Sequence, residues 1–203
     1  GAQFTNATVG IGYKALTALT TGAGNTAVGY ESMADNTTGA YNTAFGYQAG
    51  HHMVPGGATP SWNTYIGYQS GFYMDDGASN VGVGYRALYS NASEANDGAD
   101  NVAVGRNALM SLTDGYKNVA LGRGAGEAIT TDINVVAIGY GAYNGMDTAT
   151  DAEGGSGHGS GNIAIGYLSM SAYTSADAIR NTAVGFETMM TGADHAAQDN
   201  VAL

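Results

Sequence analysis

The residues with the most distinctive chemistry lie in one stretch of the chain, between positions 51 and 73. This stretch holds the single tryptophan, Trp62, together with both prolines and two of the four histidines. Indole and phenol rings offer flat apolar faces, so Trp62 and Tyr73 are candidates for stacking against a sugar ring. The alternative is that these rings anchor a long loop onto the body of the protein, and their residue types favour anchoring.

His51 and His52 are adjacent in this stretch, and imidazole is a common metal ligand. In an extended segment, neighbouring side chains point in opposite directions. We therefore predict that the two histidines make a poor chelating pair and have a structural or solvent-facing role. We expect neither a metal nor a cofactor.

Acidic side chains are the second group with potential chemistry. Asp147, Asp151 and Glu153, or Asp97 and Asp100, offer the hard oxygen atoms that Ca²⁺ prefers. Their spacing matches neither an EF-hand nor the nonapeptide calcium repeat, so solvated surface charge is the favoured interpretation. A pair of acids could also hydrolyse a glycosidic bond, but nothing in the sequence sets the separation of about 5 to 9.5 Å that such a pair needs.

Signatures of catalysis are absent from the sequence. It contains no phosphate-binding loop ending in Gly-Lys-Ser/Thr, no His-Glu-x-x-His and no nucleophile elbow. Glycine-rich strings such as Gly122-Arg123-Gly124 carry no dinucleotide signal, because the chain has 33 glycines. Cysteine is also absent, so neither a disulfide nor a thiolate metal site holds the fold. We expect that the protein is not an enzyme.

An internal repeat determines the elements that must position these residues. The unit is Asn, a small or β-branched residue, Ala, an aliphatic residue, Gly and Tyr, and Gly29 and Gly46 mark two units 17 residues apart. A helix pair or a propeller blade needs roughly 33 to 50 residues, so a shorter unit predicts one turn of a β-solenoid. Longer spacings indicate insertions. The motif glycines are Gly12, Gly29, Gly46, Gly67, Gly84, Gly105, Gly122, Gly139, Gly166 and Gly185.

The repeat predicts an all-β fold, namely a parallel β-solenoid of about eleven short coils, each with two short strands and two turns. The period persists from Thr8 to Leu203 without a linker, so residues 1–203 are predicted to form a single β-solenoid repeat domain. The last residues, from Asn200, stop where the next Gly of the unit belongs. We expect the chain to be a segment of a longer fibre protein.

Two side-chain types recur at fixed places in the unit. The asparagines are predicted to form a structural spine, in which stacked amides bond to one another and cap turns, rather than a row of cation ligands. The tyrosines are expected to stack, gaining about 0.5 to 1.5 kcal/mol per pair, with a glycan-binding strip as the alternative. The residues assigned to this structural ladder are Asn25, Asn42, Asn63, Asn101, Asn118, Gly29, Gly46, Gly105, Gly122, Tyr30 and Tyr47.

Charged residues at ladder positions need partners. Arg106 and Arg123 stand where Tyr is expected, so they need acids such as Asp100 and Asp114, or planar stacking of the guanidinium groups. Lys14 and Glu31 share one position of the unit in adjacent coils. We predict that these two form a cross-coil ion pair, which contributes about 0.2 to 1 kcal/mol if exposed.

Both faces of the strand before each motif Gly are uncharged. Thr26 and Val28 represent one face, and Asn25 and Ala27 the other. A coil of this length is too thin to cover both faces, so we expect other copies of the chain to supply the second cover. The simplest arrangement is a homotrimer of parallel solenoids. The sequence leaves open which face points inward.

Net charge restricts the possible partners. The chain carries a formal charge of −11, and its acids concentrate in the segments between motifs. Such a charge repels phosphate groups, which argues against binding to nucleic acid or to an anionic membrane. No run approaches the roughly 20 apolar residues of a membrane span, so membrane insertion is not expected.

The recurring Asn-x-Ala-Val/Ile-Gly unit resembles the repeat of trimeric autotransporter adhesin heads of the YadA-like type. The longer form, seen in Gly84-Tyr85-Arg86-Ala87-Leu88, is similar to repeats in bacteriophage tail fibres. The resemblance covers essentially the whole chain and implies a left-handed parallel β-roll, a homotrimer and a binding role. Units of 17 residues or more and the Tyr after Gly favour the phage-fibre form.

The resemblance therefore implies a structural segment of a phage tail fibre that forms a rigid trimeric shaft and displays loops for attachment to host-surface glycans. The implied location is the virion, and the implied partners are a host-surface glycan or protein and other virion or fibre proteins. A trimeric adhesin head on the surface of a bacterium is the alternative, and a glycan depolymerase on a tail spike is a lesser one. Host contact is expected at the insertions after Gly46, Gly84 and Gly139, because a uniform rod becomes distinctive where its loops lengthen.

Overall fold

The computed structural model describes residues 7–53, 59–90, 97–144, 161–171, 179–190 and 199–203. Within these ranges the chain is all-β, with eleven short strands and no helix, so no described helix could span a membrane. The strands form one sheet in which each strand pairs in parallel with the next along the chain. They are β1 (Val9–Ile11), β2 (Thr26–Val28), β3 (Thr43–Phe45), β4 (Thr64–Ile66), β5 (Val81–Val83), β6 (Val102–Val104), β7 (Val119–Leu121), β8 (Val136–Ile138), β9 (Ile163–Ile165), β10 (Thr182–Val184) and β11 (Val201–Ala202).

Strand register is constant along the sheet, so equivalent positions of the unit lie side by side. Ala103 of β6 pairs with Ala120 of β7, for example. The insertion after Gly46 does not shift this register, because Phe45 still pairs with Ile66. Like side chains therefore stack in columns, which confirms the predicted parallel β-solenoid.

In the described part of each coil there is one strand, so the prediction of two strands per coil is wrong. In the described residues, every three-residue strand of β1 to β10 ends just before its motif Gly, and the segment that follows is built of turns. Glu31 (φ 50) and Met33 (φ 48) show why, since left-handed backbone at alternate residues prevents an extended strand. Backbone hydrogen bonds still link adjacent coils here, as Met33 N donates to the carbonyl of Ala49 at 3.0 Å.

The alanine face of the sheet points into the solenoid. Ala27, Ala103 and Ala120 are fully buried, and they pack in one core cluster with larger side chains from the turn segments, such as Leu88 and Leu109. Alanine on the strand leaves room for Leu or Met from the turns within a thin coil. The first and third residues of each strand consequently point outward, which answers the question that the sequence left open.

One coil reverses this pattern of residue sizes. Tyr65 takes the alanine position in β4 and is fully buried. Gly50 and Gly71 stand where most other coils carry Met or Leu, and the strand partner of Tyr65 is Gly82. A Cβ atom at Gly50 or Gly82 would lie only 3.1 or 3.2 Å from the Tyr65 ring. Three missing side chains thus make room for one phenol ring.

The asparagines that open the units form a buried hydrogen-bonded spine. Oδ1 of Asn101 accepts a hydrogen bond from the backbone N–H of Asn118 at 3.0 Å, and its Nδ2 donates to the carbonyl of Gly115 at 2.8 Å. Asn42 makes the corresponding bonds with Asn63 N and the Pro60 carbonyl, at 2.9 and 2.8 Å. These amides satisfy backbone groups of neighbouring coils, which allows such polar side chains to be buried.

Candidate assembly and binding surfaces

The outward face of the sheet is an uncharged strip of partly and fully exposed side chains, which we call the outer sheet face. Its exposed fractions reach 59% at Ile11 and 58% at Phe45, and are 39% at Val104. A continuous apolar surface of this kind usually marks an interaction site. The outer sheet face consists of Val9, Ile11, Thr26, Val28, Thr43, Phe45, Thr64, Ile66, Val81, Val83, Val102, Val104, Val119, Leu121, Val136, Ile138, Ile163, Ile165, Thr182 and Val184.

The residues after the motif glycines stack in an aromatic column. Ring centroids of Tyr30 and Tyr47 are 5.1 Å apart with an interplanar angle of 5°, and those of Tyr47 and Tyr68 are 5.2 Å apart at 6°. Tyr140 and Tyr167 continue the column beyond β8, at 5.3 Å. Because the ring faces are occupied by neighbouring rings, they are not free to stack on a sugar.

Two arginines occupy the interval between the tyrosine runs. The Arg106 guanidinium lies 5.6 Å from the ring centroid of Tyr85, and that of Arg123 lies 5.4 Å from the centroid of Tyr140. Guanidinium groups at this distance are attracted to the ring faces. Stacking against tyrosine thus accommodates both arginines within the column.

A polar column runs two residues after the motif glycines. Gln48 Nε2 donates to Glu31 Oε2 at 2.9 Å, Gln69 Nε2 donates to Gln48 Oε1 at 2.9 Å, and Arg86 Nε donates to Gln69 Oε1 at 3.1 Å. Lys14 Nζ lies 3.8 Å from Glu31 Oε1, which confirms the predicted cross-coil pair. The hydrogen bond from Gln48 lowers the pKa of Glu31. The sequence-based predictions did not include Gln48 and Gln69. The recurrence of polar residues two positions after the motif Gly could have indicated this column.

The polar column lacks side chains at Gly124 and Gly141, and a groove of about 230 Å³ opens there. Asn107 Nδ2 donates to Glu127 Oε1 at 2.9 Å within it. Aromatic, amide and charged groups around one concavity can bind a polar ring. No motif in the sequence indicates this groove, because it arises where side chains are absent. Its walls also include Arg123, Tyr140, Asn144 and Leu168.

The two predicted aromatic candidates near the first insertion, Trp62 and Tyr73, differ in how far they are exposed. Tyr73 is half-buried and stacks on His52, with centroids 5.0 Å apart. Trp62 directly precedes the spine residue Asn63, and its side chain is 64% exposed. Tyr41, at the equivalent place one coil earlier, is also exposed. Trp62 and Tyr41 therefore leave aromatic surface open to solvent.

His51 and His52 face the same carboxylate, so the prediction that they point in opposite directions is wrong. Their ring centroids are 4.6 Å apart, and their Nδ1 atoms lie 3.5 and 2.9 Å from Oδ2 of Asp35. The prediction assumed an extended segment, whereas both residues lie in a turn. Side chains need not alternate there. Burial lowers the pKa of His52.

The predicted acidic candidates fall in two groups. Asp147, Asp151 and Glu153 lie outside the described residues. Asp97 and Asp100 are described and exposed. Burial raises the pKa of Asp75 to about 6, and the negative charges of Asp76 and Asp97 add to this effect. At neutral pH the ionisation of Asp75 therefore destabilises the folded chain relative to the unfolded chain. Desolvation also raises the pKa of Asp97, and the negative charges of Asp76 and Asp114 add to this effect.

Asp75→Asn is expected to stabilise the protein at neutral pH and to have little effect in acid. The folded pKa lies above the ordinary value of 3.8, so ionisation reduces stability as pH rises from about 4 to about 6, and the loss is complete above that range. Allowing for solvent around this half-buried group, we expect a gain of about 1 kcal/mol at pH 7.5. Urea unfolding at pH 4 and pH 7.5 measures it, with exposed Asp100→Asn as the control. An equal gain at both pH values would contradict the assignment.

Comparison with known proteins gave no match to a family model, a curated protein or a solved structure, so the surfaces described above carry the functional argument.

Proposed function

We propose that this protein is a structural fibre segment, part of a bacteriophage tail fibre, in which three copies form a rigid shaft that presents loops and grooves to host-surface glycans. Its role in this proposal is binding, not catalysis. The outer sheet face is the observation that carries the proposal, because its uncharged residues are partly or fully exposed in every coil from β1 to β10.

The described residues cover only one side of the sheet. Buried side chains such as Leu109 and Met33 cover the alanine face from within, whereas Ile11, Phe45 and Val104 on the other face remain exposed. Parallel sheets are normally covered on both faces. A second cover made by copies of the same chain would explain why this exposure persists along the whole sheet.

Rotational symmetry accounts for how copies would supply that cover. The constant register places equivalent residues at regular intervals along the solenoid, so contacts made by one coil can be repeated by the next. Three parallel solenoids about a common axis close the assembly and leave no outer sheet face uncovered. The left-handed winding implied by the family resemblance belongs to this proposal.

Other surfaces support a display role. Exposed Trp62 and Tyr41 and the groove beside Arg123 offer aromatic and polar groups of the kind that contact sugars. The charge of −11 per chain makes nucleic acid an unfavourable partner. A virion location follows from the tail-fibre proposal, and an adhesin head on a bacterial surface would use the same assembly.

Light scattering coupled to size-exclusion chromatography tests the assembly directly. We expect a molar mass three times the 20.5 kDa of the chain, unchanged on dilution into the low micromolar range. Sedimentation velocity on the same material should show an elongated particle. A monomer with the mass of one chain, or a closed dimer, would overturn the trimeric shaft.

A further inference from the structure

We propose that Asp35, His51 and His52 form a binding site for a divalent transition-metal ion of the Zn²⁺ type, which joins two adjacent coils at the base of the insertion after Gly46. This inference does not depend on the proposed trimer, because all three residues belong to one chain. The ligand atoms of the three side chains lie within 4.8 Å of one another.

The backbone holds the ligands in neighbouring coils. Asp35 and His52 occupy the same place in successive units, six residues after Gly29 and Gly46. The Asp35 N–H donates to the His51 carbonyl at 3.1 Å, which ties the two segments together. A metal bound here would therefore add a cross-link between coils that are already in register.

The distances are close to those of a coordination shell. Oδ2 of Asp35 lies 2.9 Å from His52 Nδ1 and 3.5 Å from His51 Nδ1. Ligands bonded tetrahedrally at about 2.0 to 2.2 Å are separated by roughly 3.3 to 3.6 Å. All three ligand atoms lie within 4.8 Å of one another, so binding of one ion requires the side chains to draw closer together.

His51 is oriented as a metal ligand would be. Its Nδ1 atom is buried and makes no hydrogen bond with the described residues, and its Nε2 atom lies 3.5 Å from Oε2 of Glu31. A carboxylate next to the far nitrogen of an imidazole is the usual outer partner of a metal-bound histidine. Phe72 stacks on the ring of His51 with centroids 5.0 Å apart, which restricts its rotation.

The donor set selects the metal class. Two imidazole nitrogens and one carboxylate favour Zn²⁺, Co²⁺, Ni²⁺ or Cu²⁺ over Ca²⁺ or Mg²⁺, which prefer oxygen ligands. All three side chains are partly exposed, so water can complete the shell. The competing explanation is an ion-pair cluster in which Asp35 and Glu31 merely hold the histidines.

Zinc titration of tag-free, metal-free protein by calorimetry separates these explanations. We expect one Zn²⁺ per chain, with an at least 100-fold loss of affinity in His52→Gln and in Asp35→Asn. Glu31→Gln, which changes only the outer carboxylate, should weaken binding by about 10-fold. The matched control is His158→Gln/His195→Gln, which removes the other two histidines and should retain the site.

Folding of each variant is checked by thermal unfolding without metal. Asp35→Asn is nearly isosteric, so a folded Asp35→Asn protein that no longer binds zinc supports the site even if a histidine variant fails to fold. The proposal is overturned if the wild-type chain binds no stoichiometric zinc, if binding persists in His51→Gln/His52→Gln, or if the control variant abolishes it. Binding of Co²⁺ with intense visible absorption, lost in Asp35→Asn, would independently support it.

Discussion

Gly105→Ala is expected to prevent the solenoid from folding normally around β6 and β7. Gly105 has φ 137, a conformation that residues with a side chain rarely adopt. A Cβ atom there would lie 2.6 Å from the carbonyl carbon of Gly122, which is backbone and cannot rotate away. Strain and overlap together should cost about 4 kcal/mol or more. Guanidinium unfolding and the yield of soluble protein measure this loss.

Gly10→Ala is the matched control for that substitution. Gly10 lies in β1 at the position that most other coils fill with alanine, and an added Cβ would lie 3.6 Å from Cδ1 of Leu16, an ordinary contact. We expect stability to stay the same or to rise by up to about 1 kcal/mol. Similar damage from both substitutions would mean that the motif glycines have no special role in coil stacking.

Val104→Glu combined with Leu121→Glu is expected to convert the proposed trimer into folded monomers. Both side chains lie on the outer sheet face and are 39% and 37% exposed in the single chain, so a carboxylate can reach water there. Between packed copies the same carboxylates would be buried and would repel one another, at a cost of several kcal/mol per group. The measured mass should fall to 20.5 kDa, with the far-ultraviolet circular dichroism spectrum unchanged.

Tyr116→Glu provides the comparison for this pair. Tyr116 is 40% exposed but lies in the segment before β7, not on the outer sheet face. We expect this variant to keep the mass of the wild-type protein. A double variant that stays trimeric would show that the outer sheet face is not the contact between copies.

Regular features of the fold were predictable because the unit repeats its chemistry. The 17-residue interval from Gly29 to Gly46 and from Gly105 to Gly122 predicts stacked coils, and the constant strand register follows from it. The second strand of each coil was predicted wrongly. Ordinary residues such as Glu31 adopt the left-handed backbone that interrupts it, and nothing in their identity indicates this conformation.

The candidate sites were harder to predict because they depend on contacts between coils. Asp35 and His52 are in contact because they occupy equivalent positions of adjacent units. His51 lies beside them because the turn places its ring next to that of His52. The groove at Gly124 and Gly141 depends on side chains that are missing. Aligning the units by their motif glycines would have placed Asp35 opposite His52, although no such alignment gives the direction of a side chain.

The unshifted pairing of β6 with β7 and of β7 with β8 means that one unit can be exchanged for another at the level of the gene. Removing 17 residues would bring Val102 of β6 opposite Val136 of β8 in the same register that Val119 had occupied. Each deletion or duplication of a unit changes the reach of the molecule by about 4.8 Å. Recombination between units can therefore change the length in uniform increments. Each remaining strand still pairs with equivalent residues of the next strand.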